Sequence, residues 1–356
     1  MRTLRFVFAQ AMILLAVSLL AIFAAEQWAR HRFPDLRYAA ERQQRAEGLF
    51  IRFDPATAGP TSPVAAHASS DWSSTPRVHI NEDGFQGTSH PGGTNSRRVR
   101  ILVLGDSYVF GHGVEDDETF CAVLAHLLPS TEVLNFGVSG YSTDQELLLL
   151  QDRGLAYHPD VVLLCLYRND ILDNGRATAW GLYQKPRFTL NDHEEPVLAQ
   201  GTVSAGVPFG MKVRRELRRR FVLYDVLAYR LAALRTEADE EPDPASARTL
   251  THTLIARIAA DSRAAGAHFL LVVLPETPEP DALLDGIVGA RLDLEPVFEH
   301  YRQTHPDSAL SFQYDSHWLP RGHRLVAEAI ADKLPALRWL APVDSLDTPS
   351  DTEDER

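Results

Sequence analysis

The chain has 356 residues, 45% of them hydrophobic, which is enough for one large domain with insertions or two small ones. A formal net charge of −13 argues against nucleic-acid binding, and two cysteines are too few for a disulfide framework or a cysteine zinc site. Much of the acidity lies in 237–243 and in a tail at 341–356 that has little to bury and reads as disordered.

The first element is an apolar stretch at 6–25. Its twenty residues carry no charge, and Gln10 and Ser18 are the only polar members. That length suits a membrane-spanning helix, with Arg2 and Arg5 before it and Trp28 at the far interface. A cleaved signal peptide is the competing reading, and it wants small residues at −3 and −1 of the cut. Cutting after Ala25 puts Phe23 at −3, and cutting after Ala24 puts Ile22 there. Residues 1–30 are therefore read as an uncleaved, single-pass anchor. Arg30, Arg32, Arg37, Arg42 and Arg45 downstream favour a cytoplasmic domain, although long domains translocate despite such charge.

Residues 31–97 are a linker and irregular lead-in, rich in Pro, Ser, Thr and Gly from 53 onward. From 98 to 340 the pattern alternates. Strands are expected at 99–105, 131–137, 160–167 and 268–275, with a weaker fifth at 309–314. The middle ones are nearly unbroken apolar runs, as in strands buried on both faces of a parallel sheet. Helices are expected at 116–128, 142–154, 247–266 and 322–334. This alternation predicts a doubly wound α/β/α sandwich, whose sites form beyond the carboxyl ends of the strands. Residues 171–245 break the rhythm, with a hairpin pattern at 185–198 and a long amphipathic helix at 211–234, and are read as an inserted cap. Cys165 reads as a buried small hydrophobe, and a Cys121–Cys165 bridge stays open.

Several strand ends carry residues with chemical uses. Gly105-Asp106-Ser107 follows the first strand, where Ser107 is either an exposed nucleophile or part of a polar turn. Gly137 and Gly140 follow the second, allowing close backbone approach or only a loop of positive φ. Asn169 and Asp170 follow the third, where Asn-Asp also serves as a helix cap. Asp315 and His317 precede the last helix, and a serine nucleophile needs such a base and a carboxylate to orient it. His317 can equally be a surface histidine, and His323 reads as structural.

In that order these blocks resemble the SGNH hydrolases, the GDSL-type esterases and lipases, over 98–170 and 268–335. Tyr167 stands where the third block usually has Gly, and Asp315 is two residues from His317 rather than three. A spacing of two occurs in membrane-associated relatives that acetylate exopolysaccharide. The resemblance implies a flavodoxin-like fold with a mostly parallel five-stranded sheet and catalysis through a serine ester. His317 would be the base and Asp315 its orienter; Ser107 N–H, Gly140 N–H and the Asn169 amide would form the oxyanion hole. It implies no metal or cofactor, and a domain on the periplasmic or extracellular side. The expected partners are the membrane and an O-acyl ester, of short chain and borne by a cell-envelope glycan or a small molecule. Alternatives are an exopolysaccharide O-acyltransferase, a lipid esterase using the basic face of 212–220, and a catalytically silent glycan-binding protein. Val213, Leu217, Tyr224, Leu227 and Leu231 give that helix an ordinary core-facing stripe instead.

Overall fold

The computed structural model describes residues 2–32, 98–176, 183–200, 243–278, 280–313 and 316–340, with short stretches within 52–61, 78–87, 178–179 and 210–227. Most of the linker, most of the 211–234 helix, Asp315 and the 341–356 tail lie outside the described residues. The chain divides into two units, one of 1–48 with 206–240 and one of 49–205 with 241–356.

In the first unit, α1 runs unbroken over Arg2–Arg32. Leu14, Leu19, Leu20, Ile22 and Phe23 on it are exposed, whereas Glu26 and Ala29 are buried. Glu26 accepts hydrogen bonds from Val222 N and Leu223 N at 3.1 and 2.9 Å and from Arg30 Nε at 2.6 Å. A buried carboxylate is thus satisfied by the free amides that begin a helical turn. The expected membrane span gains no support here, because among the described residues no helix is long and apolar enough to cross a membrane.

The second unit is built on a five-stranded sheet. After two short strands, β1 (Arg52–Asp54) and β2 (Gly59–Thr61), come β3 (Val99–Gly105), β4 (Thr131–Gly137) and β5 (Val161–Leu166). The inserted segment contributes β6 (Thr178–Ala179), β7 (Tyr183–Gln184), β8 (Arg187–Leu190) and β9 (Pro196–Gln200), followed in the sheet by β10 (His268–Val273) and β11 (Ala290–Asp293). The sheet order is β11-β10-β5-β3-β4, every pair parallel. Strands β8 and β9 form the hairpin expected near 185–198. The fifth strand differs from the expectation: β11 takes that place, and among the described residues of 309–314 only a bridge between Ser311 and Trp318 forms. β11 is a half-buried edge strand, so its sequence lacks the continuous apolar run that marks the central ones.

Alternation along the strands sends side chains to two cores. Leu102, Leu104, Leu134, Phe136, Leu164 and Leu271 meet α4 (Thr143–Asp152) and α6 (Pro244–Ala264) on one face. Ile101, Val103, Val133, Leu163, Cys165 and Val272 meet α3 (Phe120–Leu127), α8 (Glu295–Thr304) and α9 (Pro320–Ala336) on the other. The remaining short helices are α2 (Ser107–Phe110), α5 (Arg168–Asp173) and α7 (Pro280–Leu284). Helices on both faces of a parallel sheet are the predicted sandwich. Cys121 and Cys165 are free and buried, so the open bridge does not form.

Candidate active site

β3 and β4 run in register to Gly105 opposite Gly137, and α2 begins immediately beyond. A Cβ at Gly137 would meet Phe110 N and stand 2.7 Å from Val109 Cβ; one at Gly105 would overlap Val109 Cγ2. Only glycine lets α2 lie this close to the strand ends. Asp106 caps the turn, its carboxylate accepting Tyr108 N at 2.9 Å, and Ser107 occupies the first helical position. A residue there has a backbone N–H with no acceptor within the helix.

His317 comes from the segment between α8 and α9. Phe312 N donates to His317 O at 3.1 Å, and Leu319 N to Leu310 O at 2.8 Å, so the segment folds back on itself and presents the imidazole. His317 Nε2 stands 2.5 Å from Ser107 Oγ. The Tyr108 ring stacks on the imidazole with centroids 4.7 Å apart, and His112 lies tilted against it at 5.0 Å. Tyr108 in turn touches Tyr167 at 4.6 Å and buried Trp318 at 4.7 Å. Ser107 and His317 are therefore brought together from 210 residues apart.

Gly140 lies just past β4, with a φ of 82° that falls in the left-handed region. Val138 N donates to Gly105 O at 3.0 Å, tying this loop to the end of β3. Asn169 is the second residue of α5, beyond the central strand β5. Its side chain lies beside the Asp106 carboxyl, and its Nδ2 donates to Asp173 Oδ2 at 3.5 Å. Ser107, Gly140 and Asn169 thus follow three neighbouring strands at one edge of the sheet, where α/β folds place their sites. Asp315 lies outside the described residues.

His323 is buried on α9, where its Nδ1 accepts Phe120 N at 3.2 Å. Burial lowers its pKa to about 3, so it stays neutral. It is the structural residue expected from the sequence.

Buried carboxyl groups around the Gly105-Asp106-Ser107 turn escaped sequence reasoning. Asp106, Glu146 on α4 and Asp170 on α5 are almost wholly excluded from solvent. Burial pushes the Asp106 carboxyl up, opposed by Tyr108 N–H, the His317 charge and Asn169. Burial, with the charges of Asp106 and Asp144, raises Glu146 well above the carboxylate range, against Lys185. Burial, with the charges of Glu146, Asp106 and Asp173, raises Asp170 likewise, against Tyr167 N–H. Tyr167 N donates to Asp170 at 2.9 Å, whereas among the described residues neither Glu146 oxygen has a hydrogen-bond partner. Nothing in 142–154 signals this, because a polar first turn is the usual sign of a solvated helix start. Among the described residues no group of side chains fits a metal ion.

A family model described as GDSL-like lipase/acylhydrolase matches residues 103–332. No curated protein matches. Similar solved structures include TesA, at 15% identity over 67% of this chain and 99% of that one, with a TM-score of 0.39. A psychrotrophic esterase from Pseudoalteromonas sp. is 14% identical over 67% and 98%, with a TM-score of 0.39. An acetylxylan esterase from Geobacillus stearothermophilus is 13% identical over 69% and 99%, also at 0.39. The matched region covers well over half of the chain and takes in Ser107 and His317 alike, so the chain belongs to the GDSL-like lipase/acylhydrolase family and is a carboxylic ester hydrolase.

Proposed function

We propose that the protein cleaves a short O-acyl ester through an acyl-enzyme on Ser107, with His317 as general base and then general acid. The observation that carries this is the 2.5 Å separation of His317 Nε2 and Ser107 Oγ. Ser107 Oγ attacks the ester carbonyl carbon as its proton passes to Nε2. The tetrahedral oxyanion collapses, the ester C–O bond breaks, and the departing alkoxide takes the proton from His317. Water then repeats the sequence and frees the acid.

The oxyanion would be held by the backbone N–H groups of Ser107 and Gly140 and by the Asn169 amide. An amide carries two N–H groups, so Asn169 can hold Asp173 with one and the oxyanion with the other. Losing one such donor typically costs about 2.7–4 kcal/mol of transition-state stabilisation. Asp315, two residues before His317, is assigned to orient the imidazole on sequence grounds. The acyl group is proposed to be small, such as acetyl.

The membrane reading rests on the uncharged 6–25 stretch and on the exposed apolar side chains of α1. The family resemblance, rather than this stretch, supports a place on the outer face of that membrane and an acylated envelope glycan as the substrate. The Asp315–His317 spacing favours transfer to a glycan acceptor as the second reading. Turnover of p-nitrophenyl acetate tests the core of the proposal: Ser107→Ala and His317→Ala should each abolish it, and activity surviving either change removes that residue. Product analysis with a glycan acceptor separates hydrolysis from transfer, and a C-terminal topology reporter tests the location.

A further inference from the structure

We propose that Lys185, a residue of the inserted segment, is a positioning residue that holds the oxyanion loop and the Asn169 helix in their catalytic arrangement. This rests on the serine esterase reading above.

Lys185 lies between β7 and β8 and is 1% exposed. Its Nζ donates to Ser142 Oγ at 2.6 Å and to Asp144 Oδ1 at 2.8 Å, and stands 2.7 Å from Asp144 Oδ2. Ser142 and Asp144 follow Gly140 directly and begin α4. Ser142 Oγ donates to Asp144 Oδ1 at 2.8 Å, as does Gln145 N. Asp144 N donates to Asn174 Oδ1 at 3.0 Å, and Asn174 is the residue that caps the C-terminal end of α5, the helix of Asn169. Asn174 Nδ2 donates to Thr251 Oγ1 on α6 at 2.9 Å, and Thr251 Oγ1 to Ala247 O at 2.8 Å. Ser142, Asp144, Asn174, Lys185 and Thr251 are all buried. One buried polar network therefore ties the Gly140 loop to the Asn169 helix and anchors both on α6.

Burying an ammonium and a carboxylate costs several kcal/mol per ion, and well-packed apolar residues often serve stability better. What a charged, hydrogen-bonded pair adds is fixed direction, and transition-state donors need it: misplacement by about 1 Å can cost about 100-fold in rate. Lys185 can satisfy Ser142 and Asp144 together only while the loop keeps this conformation. Its role is to act through Gly140 and Asn169, without touching substrate.

The test compares Lys185→Met, Lys185→Met/Asp144→Asn and the parent on p-nitrophenyl acetate, with melting temperatures and with Ser107→Ala as reference. Lys185→Met strands the Asp144 carboxylate and should melt lower. The double variant removes that charge and should recover most of the melting temperature. In both, kcat should stay about 10- to 100-fold below the parent with KM within about twofold. A double variant that regains parental kcat along with its stability overturns the proposal, because Lys185 is then structural only. Parental kcat in Lys185→Met, with Ser107→Ala inactive, overturns it while leaving the esterase reading intact. Activity persisting in Ser107→Ala overturns the reading and this proposal together.

Discussion

Burial shifts the pKa of Glu146 up and that of His323 down, and the two groups make stability depend on pH with opposite signs. His323 has its pKa lowered to about 3 by burial, whereas in the unfolded chain it titrates near ~6.5. Between those values the unfolded state binds more protons. The His323 contribution is therefore complete above ~6.5 and is lost as pH falls toward 3, at about 1.4 kcal/mol per pH unit. His323→Gln should flatten this acid limb in denaturant titrations, and an unchanged slope would contradict the assignment. Glu146 has its carboxyl raised by burial and by Asp106 and Asp144, so the native state keeps a proton that the unfolded state releases above ~4.3. That stability is complete below ~4.3 and is lost as pH rises through the raised folded value. Glu146→Gln mimics the protonated form. It should melt higher than the parent at about pH 8, with the difference shrinking toward pH 4. A variant that melts lower than the parent at about pH 8 would mean that Glu146 is held as a carboxylate.

Among elements, the joint between β3, β4 and α2 matters most, because it sets where Ser107 sits. Gly137 lies against Phe110 N and Val109, so a methyl group there must push α2 off the strand ends. Gly137→Ala should cost about 1–3 kcal/mol of stability and lower kcat about 10- to 100-fold. Parental kcat in a folded variant would show that α2 has slack. This scale also explains which elements were legible in the sequence. The bounds of β3 and β4 match the predicted 99–105 and 131–137, because doubly buried strands are unbroken apolar runs ended by glycine. β11 was missed since an edge strand with Arg291 and Asp293 carries no such run. The 309–314 segment looked like a strand because it packs Leu310 into the core, but its task is to fold back and present His317. Lys185 stayed hidden because a lysine beside a proline before a hairpin reads as solvated.

At the scale of the whole molecule, the parallel sheet gathers distant residues at one edge. Ser107, Gly140 and Asn169 were legible because each follows an apolar run directly, and His317 because it precedes the closing helix. The acidic groups beneath them, Asp106, Glu146 and Asp170, become a cluster only when three successive strand–helix units pack side by side. Sequence spacing carries no trace of that packing. The same architecture divides labour: two apolar cores hold the sheet, while a buried polar layer lies at its carboxyl edge around Ser107.

The central claim is that Ser107 is activated by His317, and the site of a fluorophosphonate adduct tests it most directly. Peptide mass spectrometry of the labelled full chain should find the adduct on Ser107. It should vanish in Ser107→Ala and form at least about 100-fold more slowly in His317→Ala. An adduct on another residue, or labelling that survives Ser107→Ala, would contradict the account.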